Sequence, residues 1–223
     1  MLRAAIRRAL RLLPRGLVVP VLRGPLRGMR WITGAFNAGC WLGTYETIVV
    51  NALAPYLHPG AVFWDLGAHV GYFSLLAARR GATVVAVEPL PRNLHYLRRH
   101  CELNGMAVTI VESTLSDHEG IEHLDLGPGP AFAQVAPHGV RVSATTLDLL
   151  VYRDRFPAPT VMKVDIEGSE ARAFHGAERL LQKARPVIVL SKHNPPGHEA
   201  EAMLTAHGYT VRELEVNLVL ALP

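Results

Sequence analysis

The chain of 223 residues has only two cysteines, Cys40 and Cys101, far apart and in no metal-ligand spacing. That usage fits a reducing cytosol. Eleven histidines are present, but no H-E-x-x-H or C-x-x-C accompanies them, so no metal site is expected. No apolar run is long enough to span a bilayer, since residues 17–22 are interrupted by Pro20. An A-x-A cleavage pattern is missing, and arginines break the early apolar stretch, which argues against a secretory signal. There is no internal repeat and no linker long enough to divide the chain into two large domains. With 49% hydrophobic residues, wholesale disorder is excluded.

Acidic residues are absent from residues 1–45, which hold eight arginines of the 23 basic residues. The remainder is net acidic, so the high overall pI is no argument for nucleic-acid binding by the body of the chain. Within the leader, Leu2, Ile6, Ala9, Leu10 and Leu13 share one helical face, and Arg3, Arg7 and Arg11 line another. Pro14 and Gly16 stop that helix. Residues 1–42 therefore read as a basic amphipathic N-terminal extension, and residues 43–223 as the main domain. The helix over 1–13 suits either the domain's own edge or peripheral contact with the inner face of an anionic membrane.

After Pro59-Gly60 the chain alternates strand and helix patterns. The fold class expected is α/β, a mainly parallel sheet covered on both faces, with the N-terminal helical extension. Strands are expected near 61–66, 83–88, 107–112, 159–165, 186–192, 209–215 and 217–222. Helices are expected near 44–56, 71–80, 91–104, 168–183 and 197–207. The last two strands are a residue or two apart and should be antiparallel neighbours. Between 117 and 146 a Gly-Pro-Gly-Pro run and apolar alternation predict a hairpin-like insertion.

The apolar strand 62–66 runs into Asp65-x-Gly67-x-x-x-Gly71 and straight into a helix. Gly67 lets the chain reverse, and the helix start offers unpaired N–H groups and partial positive charge to an anion. The next strand ends in Glu88, positioned to grip two ribose hydroxyls. A dinucleotide fingerprint needs a second glycine where this chain has His69. The missing glycine disfavours a pyrophosphate and favours S-adenosylmethionine.

These motifs resemble the FkbM family of methyltransferases over roughly residues 43–222. The carriers are Gly43-Thr-Tyr45-Glu46, Pro59-Gly60, the Asp65–Gly71 turn with Tyr72-Phe73, Glu88-Pro89 with Asn93, Leu115-Ser-Asp117 with Gly120, and Thr146-Leu147-Asp148. The most specific is Lys163-Val-Asp165-Ile-Glu167-Gly168-Ser-Glu170. The resemblance implies a class I methyltransferase sheet of seven strands with an antiparallel last strand. It also implies S-adenosylmethionine as cofactor and O-methylation of a hydroxyl on a sugar, glycolipid or secondary metabolite. The cofactor-binding residues it implies are Tyr45, Glu46, Asp65, Gly67, Ala68, His69, Gly71, Glu88, Pro89, Asn93 and Ser113, the last for the adenine edge.

An alcohol acceptor must lose a proton. Asp165 at the carboxyl end of the fourth strand, its face-mate Lys163, and His193 just past the fifth are the candidate catalytic residues. Ser191 stands where relatives usually have glutamate, which keeps a donor-binding but inactive scaffold as the alternative. No N-P-P-Y or D-P-P-Y follows the fourth strand, against a nucleic-acid substrate; the expected partner is a small-molecule or glycan acceptor. Trp31, Phe36 and Trp41, with the insertion, are expected to shape its pocket.

Overall fold

The computed structural model describes residues 14–127, 134–193 and 195–223. The leader helix over 1–13 lies outside these residues. The described chain opens with an antiparallel pair, β1 (Val18–Pro20) and β2 (Arg30–Ile32), then α1 (Gly39–Leu42) and α2 (Thr47–Leu53), which a 3₁₀ turn extends. There follow β3 (Val62–Leu66), α3 (Tyr72–Arg79), β4 (Thr83–Val87), α4 (Pro91–Asn104) and β5 (Thr109–Val111). β6 (Thr114–Leu115) precedes the insertion, which carries β7 (Gly120–Asp125), β8 (Gln134–Val135) and β9 (Val140–Thr145). The chain ends with β10 (Val161–Val164), α5 (Glu170–His175), α6 (Glu178–Lys183), β11 (Val187–Ser191), α7 (Pro196–Ala206), β12 (Thr210–Glu215) and β13 (Leu218–Leu222).

Seven strands form the central sheet in the order β12-β13-β11-β10-β3-β4-β5. Strand β13 runs antiparallel to both its neighbours, while β11, β10, β3, β4 and β5 pair in parallel. The inner strands are mostly apolar on both faces because both are covered, whereas the edge strand β12 is largely exposed. Along β3 and β4, Phe63, Val84 and Ala86 enter one core layer, whereas Trp64, Leu66, Val85 and Val87 enter the other, the period of two expected of a strand. Strand order reverses between β10 and β3, which opens a crevice at their carboxyl ends.

Helix α4 occupies the expected 91–104: Pro91 suits its first turn, and Gly105, at φ 61°, ends it in the left-handed region. The single helix expected over 168–183 is two helices. Gly176 lies between them against the Ser116 carbonyl, so close that a Cβ there would come within 2.2 Å of the oxygen. The second helix gets its own cap: the Asp148 carboxylate accepts the Arg179 and Leu180 N–H groups at 3.0 and 2.8 Å. The insertion is more than a hairpin. β7 and β9 pair antiparallel as expected, β8 adds to β7, and β6 joins β9 in parallel to make a four-stranded sheet.

From residue 14 onward the extension shares the main core, with Val21, Leu26, Trp31, Cys40 and Trp41 all buried there. Trp31 stacks on His100 at 4.0 Å between ring centroids. The His100 Nε2 accepts the Ile32 N–H at 3.1 Å and Nδ1 donates to the Val70 carbonyl at 2.8 Å, a pattern that requires the neutral ring. Burial pushes its pKa down from 6.5 to about 4. The stability this ring contributes is complete above its unfolded value and is lost as pH falls through the folded one, because the unfolded chain takes the proton first. Folding is expected to weaken by about 3 kcal/mol between about pH 7 and about pH 4 through His100. Denaturant unfolding of wild type and His100→Gln at both ends of that range checks this; equal pH dependence in the two would refute it.

Candidate functional site

The crevice at the switch point holds a cleft of about 380 Å³. Tyr45, Glu46, Gly67, Ala68, His69, Glu88, Pro89, Asn93, Ser113, Lys163, Asp165 and His193 all line it, so twelve of the fourteen residues singled out from sequence meet here. Asp65 and Gly71 do not line it. Asp65 is fully buried behind the turn, where Oδ2 accepts the Ser74 hydroxyl at 2.6 Å, and Gly71 is the left-handed cap of α3 packed against Leu97. Their place is to build the turn. Trp31 and Trp41 belong to the core, whereas Phe36 reaches the cleft and meets His69 edge-on at 4.4 Å. From the insertion, Leu124 lines the cleft.

Gly67 has φ 76°, and a Cβ there would lie 1.9 Å from the Asp165 carbonyl oxygen, so only glycine lets β3 and β10 converge. Glu88 closes the other side, 4% exposed. Its Oε2 accepts the His69 N–H at 2.9 Å, and Oε1 accepts the Leu90 N–H at 2.9 Å and the Asn93 amide at 3.1 Å. Burial nonetheless raises its pKa, those three donors opposing. Ser113 is tied to the insertion by donating its hydroxyl to the Ser143 carbonyl at 2.9 Å. Tyr45 packs edge-on against Tyr72, with ring centroids 4.9 Å apart.

Lys163 is 3% exposed and spends its ammonium on the Gly67 carbonyl at 3.3 Å, Asp165 Oδ2 at 3.2 Å and Asp65 Oδ1 at 3.8 Å. Burial penalises its charge, but Asp165, Asp65 and Glu46 outweigh that and raise its pKa. Burial pushes Asp165 up, yet Lys163 and His193 more than offset it and hold the carboxyl below its usual value.

His193 is partly buried, not a free loop residue. Its Nδ1 lies 2.6 Å from Glu170 Oε1, and Nε2 faces Asp165 Oδ1 at 3.7 Å and Glu167 Oε2 at 3.5 Å. Glu170 stands in the first turn of α5. It accepts the Gly168 N–H at 3.1 Å, and it also orients His193, which sequence reasoning missed. Glu46, His69 and Glu167, three of the non-glycine residues with positive φ, line this one cleft, where backbone strain commonly gathers at functional sites.

The strand order with reversed β13 and a cleft at its switch point define a class I methyltransferase fold. The chain belongs to the FkbM family of S-adenosylmethionine-dependent methyltransferases, the Methyltransferase FkbM domain matching residues 65–211. It is 28% identical over 149 residues to the hexuronic acid methyltransferase AglP of Haloferax volcanii, covering 65% of this chain and 61% of that protein. It is 25% identical over 194 residues to the 31-O-demethyl-FK506 methyltransferase FkbM of Streptomyces tacrolimicus, covering 70% and 75% of the two. The crystal structure of methyltransferase FkbM from Methylobacillus flagellatus shares the fold, with a TM-score of 0.52 at 19% identity over 73% of this chain and 43% of that one. The cleft fits the donor this family implies: it pairs a buried carboxylate at the end of β4 with a turn that a Cβ at Gly67 would block.

Proposed function

We propose that the protein transfers the methyl group of S-adenosylmethionine to a hydroxyl oxygen of a small molecule, a sugar, glycolipid or secondary metabolite. The observation that carries this is the meeting of a donor cradle around Glu88 and Gly67 with the polar cluster of Asp165, Glu167 and His193 in one cleft. Glu88 accepts the two ribose hydroxyls. The turn from Gly67 to His69 holds the aminoacyl end, and Tyr45 and Glu46 cover it. When bound, the donor supplies an electrophilic methyl group on a sulfonium. The protein's task is then to set an acceptor oxygen in line with that carbon. Asp165 and His193 receive the acceptor hydroxyl, and its proton passes to this pair as the C–O bond forms and the C–S bond breaks, that electron pair staying on sulfur. Lys163 positions Asp165 and the Gly67 carbonyl from behind.

Among the described residues, no helix is long and apolar enough to cross a membrane. The arginine-rich leader suits an acceptor presented near an anionic surface. Ser191 lines the cleft at a position where the family resemblance implies glutamate, and this supports a second reading, a donor-binding protein without turnover.

The test is methyl transfer from labelled donor to a panel of hydroxylated sugars and metabolites, with Asp165→Asn and His193→Gln alongside. Each variant is expected to lose about 10²- to 10⁴-fold in kcat while S-adenosylhomocysteine binds as in wild type. Donor binding with no turnover on any acceptor would favour the second reading.

A further inference from the structure

Asp165, Glu167 and His193 come from the end of β10, the turn after it and the segment past β11. Their ligating atoms all lie within 4.8 Å of one another. His193 Nε2 is 3.7 Å from Asp165 Oδ1 and 3.5 Å from Glu167 Oε2, too far for hydrogen bonds. Two donors on one divalent ion, with bonds of roughly 2.1 Å, stand about 3.0–3.5 Å apart at octahedral or tetrahedral angles. The spacing is close to that of a ligand set sharing a centre.

A second observation lies on the far side of the ring. Glu170 is fully buried, aims its carboxylate at His193 Nδ1 at 2.6 Å, and has an Oε2 with no partner. A carboxylate can only accept, so Nδ1 carries the proton, and in the neutral ring the Nε2 lone pair is turned toward Asp165 and Glu167. A carboxylate behind the imidazole is the usual outer partner of a metal-ligating histidine. Charge points the same way. Among the described residues lining the cleft, Lys163 alone has a permanent positive charge, and it already serves Asp65, Asp165 and the Gly67 carbonyl.

We propose that Asp165, Glu167 and His193 Nε2 bind one divalent metal ion of the Mn²⁺ or Zn²⁺ type, with Glu170 fixing the histidine. One imidazole nitrogen and two carboxylate oxygens form a mixed donor set suited to such ions. Three protein ligands leave positions open for the acceptor oxygen, and this part of the inference rests on the methyl-transfer reading. Bound there, the acceptor hydroxyl becomes more acidic and releases its proton to solvent. The C–O bond forms as the C–S bond breaks, and that electron pair stays on sulfur.

The test uses the full chain, stripped by chelator and titrated calorimetrically with MnCl₂ and with ZnCl₂, without donor or acceptor. S-adenosylhomocysteine is titrated in parallel. One ion per chain is expected. Glu167→Gln is expected to weaken binding at least about 10-fold and Glu170→Gln about 10- to 100-fold, with S-adenosylhomocysteine affinity and circular dichroism unchanged. Neither ion binding to a wild type that takes up S-adenosylhomocysteine overturns the metal site and spares the donor reading. Equal ion affinity in the variants and wild type also overturns it. Ion binding with no uptake of S-adenosylhomocysteine supports the site and removes the donor reading instead.

Discussion

Glu88→Ala is expected to lower affinity for S-adenosylhomocysteine by about 100-fold or more. Two hydroxyls donating to one buried carboxylate are each worth about 1.5–3 kcal/mol, and a lone alanine replaces neither. The variant also frees the His69 and Leu90 N–H groups and the Asn93 amide, which Glu88 gathers at 2.9, 2.9 and 3.1 Å. Those groups belong to the turn and the start of α4, so part of the loss reflects a slackened cradle. Asn93→Ala separates the contributions, since it removes one donor to Oε1 and leaves the carboxylate in place. Its affinity should fall by only a fewfold. Calorimetric titration of both variants, with thermal unfolding to confirm that each is folded, checks the expectation. A folded Glu88→Ala that binds within about threefold of wild type would remove the ribose role.

The inner strands are legible from sequence because they are short apolar runs between Gly and Pro punctuation, and β3 and β4 run directly into Gly67 and Glu88, which line the cleft. The antiparallel last pair is legible for a local reason: β12 and β13 are joined at Val216-Asn217, and Asn217 takes the left-handed φ of 62°. What sequence alone hides is mostly tertiary. Nothing periodic in residues 168–183 announces the break at Gly176, which the Ser116 carbonyl on a distant segment imposes. β6 is only two residues long and exists through its pairing with β9, too short for any pattern. At the site, the residues of the Asp65–Gly71 turn and the Lys163–Glu170 run are visible, but their division of labour is not. Alternation along β3 does not say that Asp65 ends up behind the turn bonded to Ser74. His193 and Glu170 are 23 positions apart, on two different strand-to-helix connections, so the cluster proposed to hold a metal matches no linear spacing. The signal that could have found it is the excess of carboxylates in Asp165-x-Glu167-x-x-Glu170 facing the end of the adjacent strand.

Lys163→Met is expected to be the most destabilising single change at the site, at about 3–5 kcal/mol, because it leaves buried carboxylates without their counter-charge. Asp65 is fully buried, and with Lys163 gone its remaining side-chain partner is the Ser74 hydroxyl. Burial already raises the Asp65 pKa, with Lys163 the main opposing influence, so removing the lysine raises it further. A carboxyl whose folded pKa is raised favours folding below its unfolded value and loses that advantage as pH rises through the folded one. The penalty of Lys163→Met should therefore shrink on acidification, and should begin to do so at a higher pH than for a lost surface ion pair, whose carboxylate keeps its ordinary range. Adding Asp65→Asn should recover part of the stability at neutral pH, since the amide carries no charge to bury. Chemical denaturation of wild type, the single variant and the double variant across the acidic range reads both effects. A Lys163→Met protein within about 1 kcal/mol of wild type at neutral pH, or no gain from Asp65→Asn, would mean that the buried cluster is solvated and that Lys163 holds neither carboxylate.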